Sequence, residues 1–143
     1  MHLDYRNVAW WYWLATVPLV AASLARWAPA LPIAVALTAI QALHFRVRTG
    51  SARSFPVQVR LAYLTLLLAG AWEPLAILHW IQLVGTTAMV TVGYCPLARC
   101  LSLLPWNRSQ PVTAALLRRT FLSPPVRGSI LAAIAPAHAA AAR

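Results

Sequence analysis

Lysine is absent from this sequence and acidic residues nearly so: Asp4 and Glu73 stand against twelve arginines. Charged residues make up 10% of the chain, whereas a soluble domain carries about 25%, so an ordinary water-facing surface of mixed charge is excluded. With only two cysteines, Cys95 and Cys100, no disulfide framework is implied. Catalytic motifs are missing as well. The chain has no G-x-S-x-G, no H-E-x-x-H, no P-loop and no paired carboxylates within its apolar runs, and it therefore reads as a protein that is not an enzyme. The start, Met1-His2-Leu3-Asp4-Tyr5-Arg6, leads into Trp10-Trp11-Tyr12-Trp13 without a small-residue cleavage site close behind, so the first apolar run is expected to remain as a membrane span.

What the sequence does have is apolar residues, 61% of the total, gathered in blocks rather than in the alternating patterns of a soluble core. The first block covers 8–25, between Arg6 and Arg26. The second covers 28–45, opened by Pro29 and Pro32, where missing amide donors cost least, and closed by Arg46 and Arg48. The breaker-rich stretch 49–56 reads as a loop. A third block, 57–72, holds Arg60 one turn from its start, where the side chain is expected to snorkel to the interface. Glu73-Pro74 makes a tight turn, and the fourth block continues to Leu104. Pro96 divides it, because a helical proline removes a hydrogen bond and kinks the chain. Residues 75–95 are then long enough to cross, and 97–104 turn along the surface.

A crossing takes roughly 17 to 25 residues for a hydrocarbon layer of about 30 Å. The expected fold is an all-α membrane protein with four transmembrane helices arranged as two hairpins, forming a single domain over 1–110. The third run is marginal in length, and a re-entrant pairing with the fourth is the alternative. Residues 111–143 form a cytoplasmic tail, amphipathic or partly disordered. In it Pro111 opens a short interfacial helix with Val112, Ala115, Leu116 and Leu122 on one stripe and Arg118-Arg119 beside it. The alanine-rich stretch 129–143 is either a weak helix packed on a partner or a frayed terminus.

Arginine placement gives an orientation. Arg46, Arg48, Arg53 and Arg60 lie around the second connection, and Arg99, Arg108, Arg118, Arg119, Arg127 and Arg143 follow the Pro96 break, whereas Arg26 and Glu73 mark the other two connections. Basic loops stay in the cytoplasm, so both termini are expected there, in a bacterial inner membrane. Trp10 to Trp13, Trp27, Trp72, Trp80 and Trp106 sit near run ends, as interfacial anchors do. A net charge of +10 also suits nucleic acid, but no stacking or groove-reading module accompanies it. Anionic lipid headgroups are the expected partner, together with other integral membrane subunits.

Few residues offer chemistry. Cys95 and Cys100 flank the break in Gly93-Tyr94-Cys95-Pro96-Leu97-Ala98-Arg99-Cys100, and Arg99 nearby would favour a thiolate, so a reactive thiol or a soft-metal site is one reading. On an unbroken helix residues five apart point about 140° away from each other, and two small packing cysteines are the plainer reading. His44 and His79 are the histidines within the runs, and either could ligate haem or a chlorophyll-type pigment. They cannot share one iron, since His44 lies near the cytoplasmic edge and His79 about 9 Å in from the other. The ordinary role for each is a hydrogen bond to a neighbouring helix. No cofactor is predicted. Gly85 and Thr86, following Gln82, mark a close helix contact. With Arg99, Arg108, Arg118 and Arg119 they are the expected contacts to a partner or to lipid.

From Val57 through Asn107 the chain resembles the small two-helix transmembrane domain found at the end of inner-membrane rhodaneses and in stand-alone bacterial proteins. The residues that carry the resemblance are Arg60, the Glu73-Pro74 turn, Gly85, the run Gly93-Tyr94-Cys95-Pro96-Leu97, and then Leu101 and Asn107. Leu103-Leu104-Pro105-Trp106-Asn107-Arg108 replaces the shorter, leucine- and glycine-rich ending of that family, and no rhodanese domain accompanies it. The resemblance implies a membrane hairpin that pairs with another, and no sulfur transfer. The functional expectation is a non-catalytic accessory or assembly subunit of a larger membrane complex, a respiratory or photosynthetic electron-transfer complex being the best guess. The alternatives are a small transporter or thiol-based metal handler, and a haem- or pigment-binding subunit.

Overall fold

The structure, a computed structural model, describes residues 7–108, 110–125 and 130–131. The described residues are helical throughout, with no strand among them. Four long helices run up and down: α1 (Val8–Leu24), α2 (Ala30–Thr49), α3 (Phe55–Gly70) and α4 (Ile77–Val92). Two short ones follow, α5 (Pro96–Ser102) and α6 (Ala114–Leu122). The alanine-rich stretch from 132 onward, with Arg127 and Arg143, lies outside the described residues.

Local chemistry sets the boundaries. Asn7 caps α1 by accepting from the Ala9 N–H at 3.0 Å. The helix closes with a Schellman pair, Trp27 N–H to Ala22 O and Arg26 N–H to Ser23 O, both 3.0 Å. That motif needs a left-handed residue, and Arg26 (φ 67°) fills the place usually held by glycine. α2 runs past Phe45 to Thr49, one turn beyond the apolar block, because Arg46 and Arg48 favour its carbonyl end. It stops at Gly50, φ 70°. Thr49 Oγ1 and Ser54 Oγ, 2.8 Å apart, close the loop that turns the chain into α3. Glu73–Leu75 is a 3-10 turn leading into α4.

The four long helices form a ring in which α1 packs on α2 and α4, and α3 packs on the same two. Trp13 and Tyr63 meet across its middle, their rings edge to face with centroids 5.0 Å apart. Val20, Ala34, Val59, Leu67 and Val90 complete the core. The start of α1 meets the end of α4, where Trp10 Nε1 donates to Val90 O at 3.1 Å, and meets the end of α2, where the Tyr12 hydroxyl and His44 Nδ1 are 2.8 Å apart. Arg46, Arg48, Arg53, Arg60 and Arg99 therefore gather at one end of the bundle, and Arg26 and Glu73 at the other.

Two helical segments are long and apolar enough to cross a membrane, Ala30–Thr49 and Glu73–Val92, with 33% and 22% of their apolar windows buried inside the chain. α1 and α3 are apolar but shorter, at 17 and 16 residues.

One contact tests the packing of the second hairpin. A Cβ on Gly70 would stand 2.7 Å from both Cδ2 and Nε2 of His79, and His79 Nε2 is held 3.1 Å from Leu67 O. Gly70→Ala should push the ring out and break that bond, lowering stability by about 1–3 kcal/mol. Unfolding of the purified chain in mixed micelles measures this, and an unchanged midpoint would contradict the packing.

Candidate functional site

Each hairpin is pinned internally by a glutamine. In the first, Gln41 Nε2 donates to Thr16 Oγ1 at 3.2 Å. In the second, Gln82 Nε2 donates to Tyr63 O at 3.0 Å, and Thr86 Oγ1 donates to the Tyr63 hydroxyl at 3.0 Å. All five side chains are buried, and the Oε1 atoms of both glutamines have no hydrogen-bond partner. Polar groups away from water associate helices because the alternative is an unmade bond in an apolar surrounding. Thr86 is thus a contact within the chain, and Gly85 faces Pro96, whose ring atoms lie 3.6 Å from where its Cβ would be.

Arg60 does not reach out to the interface. It is 3% exposed, and its guanidinium carbon lies 3.5 Å from the centroid of the Phe45 ring and 5.5 Å from that of Trp13. Nη1 donates to Pro56 O at 2.7 Å, and Nε has no partner. Snorkelling fails here because α2 runs past Phe45 and covers the site, leaving the cation stacked on aromatic faces instead.

Beyond α4 the chain breaks as the proline requires. Cys95 Sγ caps α5 by accepting from the Ala98 N–H at 3.4 Å, with Pro96 at the first helical position. Arg99, expected to face a partner or lipid, turns inward and is 2% exposed. It donates to Thr120 O, Ser123 Oγ and Pro124 O, and stacks on Tyr94 at 4.1 Å. A cation on the last carbonyls of a helix is favourable, and this one docks α6 onto α5. The Tyr94 hydroxyl adds a bond to Phe121 O at 2.9 Å. Arg118 is exposed on the outer side of α6.

The two cysteines line one small apolar cavity of about 170 Å³ with Tyr63, Gln82 and Pro96. Arg99 does not activate Cys95. Its guanidinium is spent on Thr120 O, Ser123 Oγ and Pro124 O, and the Cys95 sulfur accepts from the Ala98 N–H instead. His44 and His79 stand at opposite ends of the bundle, one bonded to Tyr12 and the other to Leu67. Among the described residues no group of three or more His, Cys, Asp or Glu is placed to hold a metal ion. Comparison of the chain with family models, curated proteins and solved structures gives no match.

A second and larger cavity, about 420 Å³, opens at the arginine-rich end between Arg60, Phe45, Phe55, Ala98 and Arg99. Sequence reading missed it, because its walls come from five separate helices. Gln41, a carboxamide in an otherwise apolar block, is the signal from which the first helix-to-helix pin could be read. A side-chain tie that the sequence reading did not foresee closes the second hairpin: Asn107 Nδ2 donates to Gln58 Oε1 at 2.7 Å and to Leu101 O at 2.9 Å.

The thiols provide a check. Cys95 is half-buried and its sulfur is engaged by the Ala98 N–H, while Cys100 is exposed. Maleimide should label Cys100 in the Cys95→Ser chain about tenfold faster than Cys95 in the Cys100→Ser chain. Mass spectrometry of the time course reads this, and equal rates would show that Cys95 is as accessible as Cys100.

Proposed function

We propose that this chain is a non-catalytic accessory or assembly subunit of a larger complex in a bacterial inner membrane. It crosses four times as two hairpins, with both termini in the cytoplasm. The observation that carries this reading is an inversion of the usual surface: apolar side chains face outward while the buried polar groups bond to one another. α4 exposes Ile77, Ile81 and Val84, and α2 exposes Ile33, Ile40, Leu43 and Val47. Spacings of three, four and seven residues put such positions on one helix face, a face suited to lipid or to another apolar helix.

The ends of the bundle support the same reading. Trp11 and Trp106 are exposed at the arginine-rich end, and Trp27, Trp72 and Trp80 towards the other, the double aromatic belt of a membrane protein. The separation of arginines from Glu73 fits the same direction of insertion. The α3–α4 hairpin, closed by Gln58 and Asn107, is the part that resembles the inner-membrane rhodanese hairpin, taken here as architecture without sulfur transfer.

Helix length argues for a partner. At 1.5 Å per residue α3 is about 24 Å long and α1 about 26 Å, against a hydrocarbon layer of about 30 Å. Short hydrophobic helices relieve such mismatch by thinning the bilayer or by associating. A respiratory or photosynthetic electron-transfer complex is the best-fitting host, since these recruit small subunits that carry no chemistry. Native mass spectrometry of particles extracted from the native membrane should find the chain with other integral subunits at fixed stoichiometry. Recovery only as a monomer or self-oligomer would end this proposal.

A further inference from the structure

Arg60 brings a permanent charge into the bundle and has no carboxylate beside it among the described residues. The described residues contain one acid, Glu73, and it stands at the opposite end. Phe45 and Trp13 offset part of the desolvation through their ring faces, and the Pro56 carbonyl takes one N–H. None of these supplies an opposite charge, and Nε is left without any acceptor. A buried cation without a counter-ion is costly enough that its anion is to be sought nearby.

The space for one is present. The cavity of about 420 Å³ lies against Arg60 and is also lined by Arg99. Arg99 spends its donors on α6, so it adds positive potential while Arg60 retains the unpaired N–H. This cavity shares Trp13, Val59, Met89 and Cys95 with the apolar one of about 170 Å³, so a charged chamber adjoins an oily one. Arg46, Arg48 and Arg53 are exposed at the same end of the bundle but do not line the cavity. A guanidinium fork matches the oxygens of a phosphate, and basic pockets between membrane helices on the cytoplasmic side suit anionic headgroups.

We infer that these adjoining cavities hold one anionic phospholipid, its phosphate against the Arg60 guanidinium and part of an acyl chain along the apolar chamber. Free phosphate would offer Arg60 the same oxygens but would leave the apolar chamber unfilled, which is why the lipid fits better. The inference rests on the membrane reading above and is independent of any partner complex.

The test uses the full chain, purified, stripped of lipid and placed in bilayer discs of phosphatidylcholine with phosphatidylglycerol. Native mass spectrometry after release into detergent should show one phosphatidylglycerol retained in preference to phosphatidylcholine. Arg60→Gln should weaken retention about tenfold or more. Ala98→Phe, which narrows the 420 Å³ cavity beside Arg60 and leaves the cation, should do the same, so the outcome does not hang on the folding of one variant. The Arg46→Gln/Arg48→Gln chain should retain lipid as before. Equal retention of both lipids, or retention unchanged in both Arg60→Gln and Ala98→Phe, would overturn the inference. So would inorganic phosphate that raises the melting temperature as much as phosphatidylglycerol does, since the anion would then be a soluble one. A chain that retains the lipid yet runs alone in native membranes would leave this site standing and remove only the accessory-subunit reading.

Discussion

A buried guanidinium with no carboxylate beside it among the described residues is the constraint around which this bundle is arranged. Arg60 sits on the first turns of α3, yet the surfaces that tolerate it belong to α1 and α2, through Trp13 and Phe45. Those three helices must therefore meet at one end of the ring, and the Trp13–Tyr63 contact carries the meeting into the core. The 420 Å³ space lies where Arg60 faces Ala98 and Arg99 of α5.

The remaining polar groups follow a simpler rule. A hydroxyl inside an apolar bundle bonds to a carbonyl of its own helix, as Thr38 does to Ala34 O, or to the neighbouring helix, and Thr16, Gln41, Tyr63, Gln82 and Thr86 are placed so that each hairpin is tied across its own pair. Each tie is worth on the order of 0.6 kcal/mol and at most about 2. Together they set the register of the hairpins more than they add to stability. The cost is visible in two unpaired Oε1 atoms. Outside the ring, Arg99 repeats the logic of Arg60 with a different answer: Thr120 O of α6 and Pro124 O just beyond it solvate the cation, and α6 is docked as a result.

Much of the helical layout was readable from local rules. The block 8–25 becomes Val8–Leu24, and the Pro96 break and the short helix after Pro111 fall where proline chemistry puts them, the latter starting at Ala114 behind its Thr113 cap. The blocks mark apolar character, so they misjudge ends decided by other forces. α2 gains a turn of arginines because helix carbonyls favour them, and α3 ends at Gly70, before Trp72. The candidate site was much less legible. A snorkelling Arg60 and an activated Cys95 both follow from sequence neighbours, while their real surroundings come from distant residues. Phe45 lies on another helix, and the groups Arg99 binds are more than twenty positions away. His79 and Thr86 were recognisable as helix contacts because a polar side chain in an apolar run has few other uses.

The proposed function rests on whether, which way and how often the chain passes through a bilayer. Single cysteines placed at Ala28, Ser51 and Ala71 in a Cys95→Ser/Cys100→Ser background sample the three connections between the long helices. A membrane-impermeant maleimide applied to intact spheroplasts should label the cysteines at 28 and 71, and reach the one at 51 only after lysis. Labelling of 51 from outside, or protection of 28 or 71, would contradict the four-crossing arrangement with its arginine-rich end in the cytoplasm.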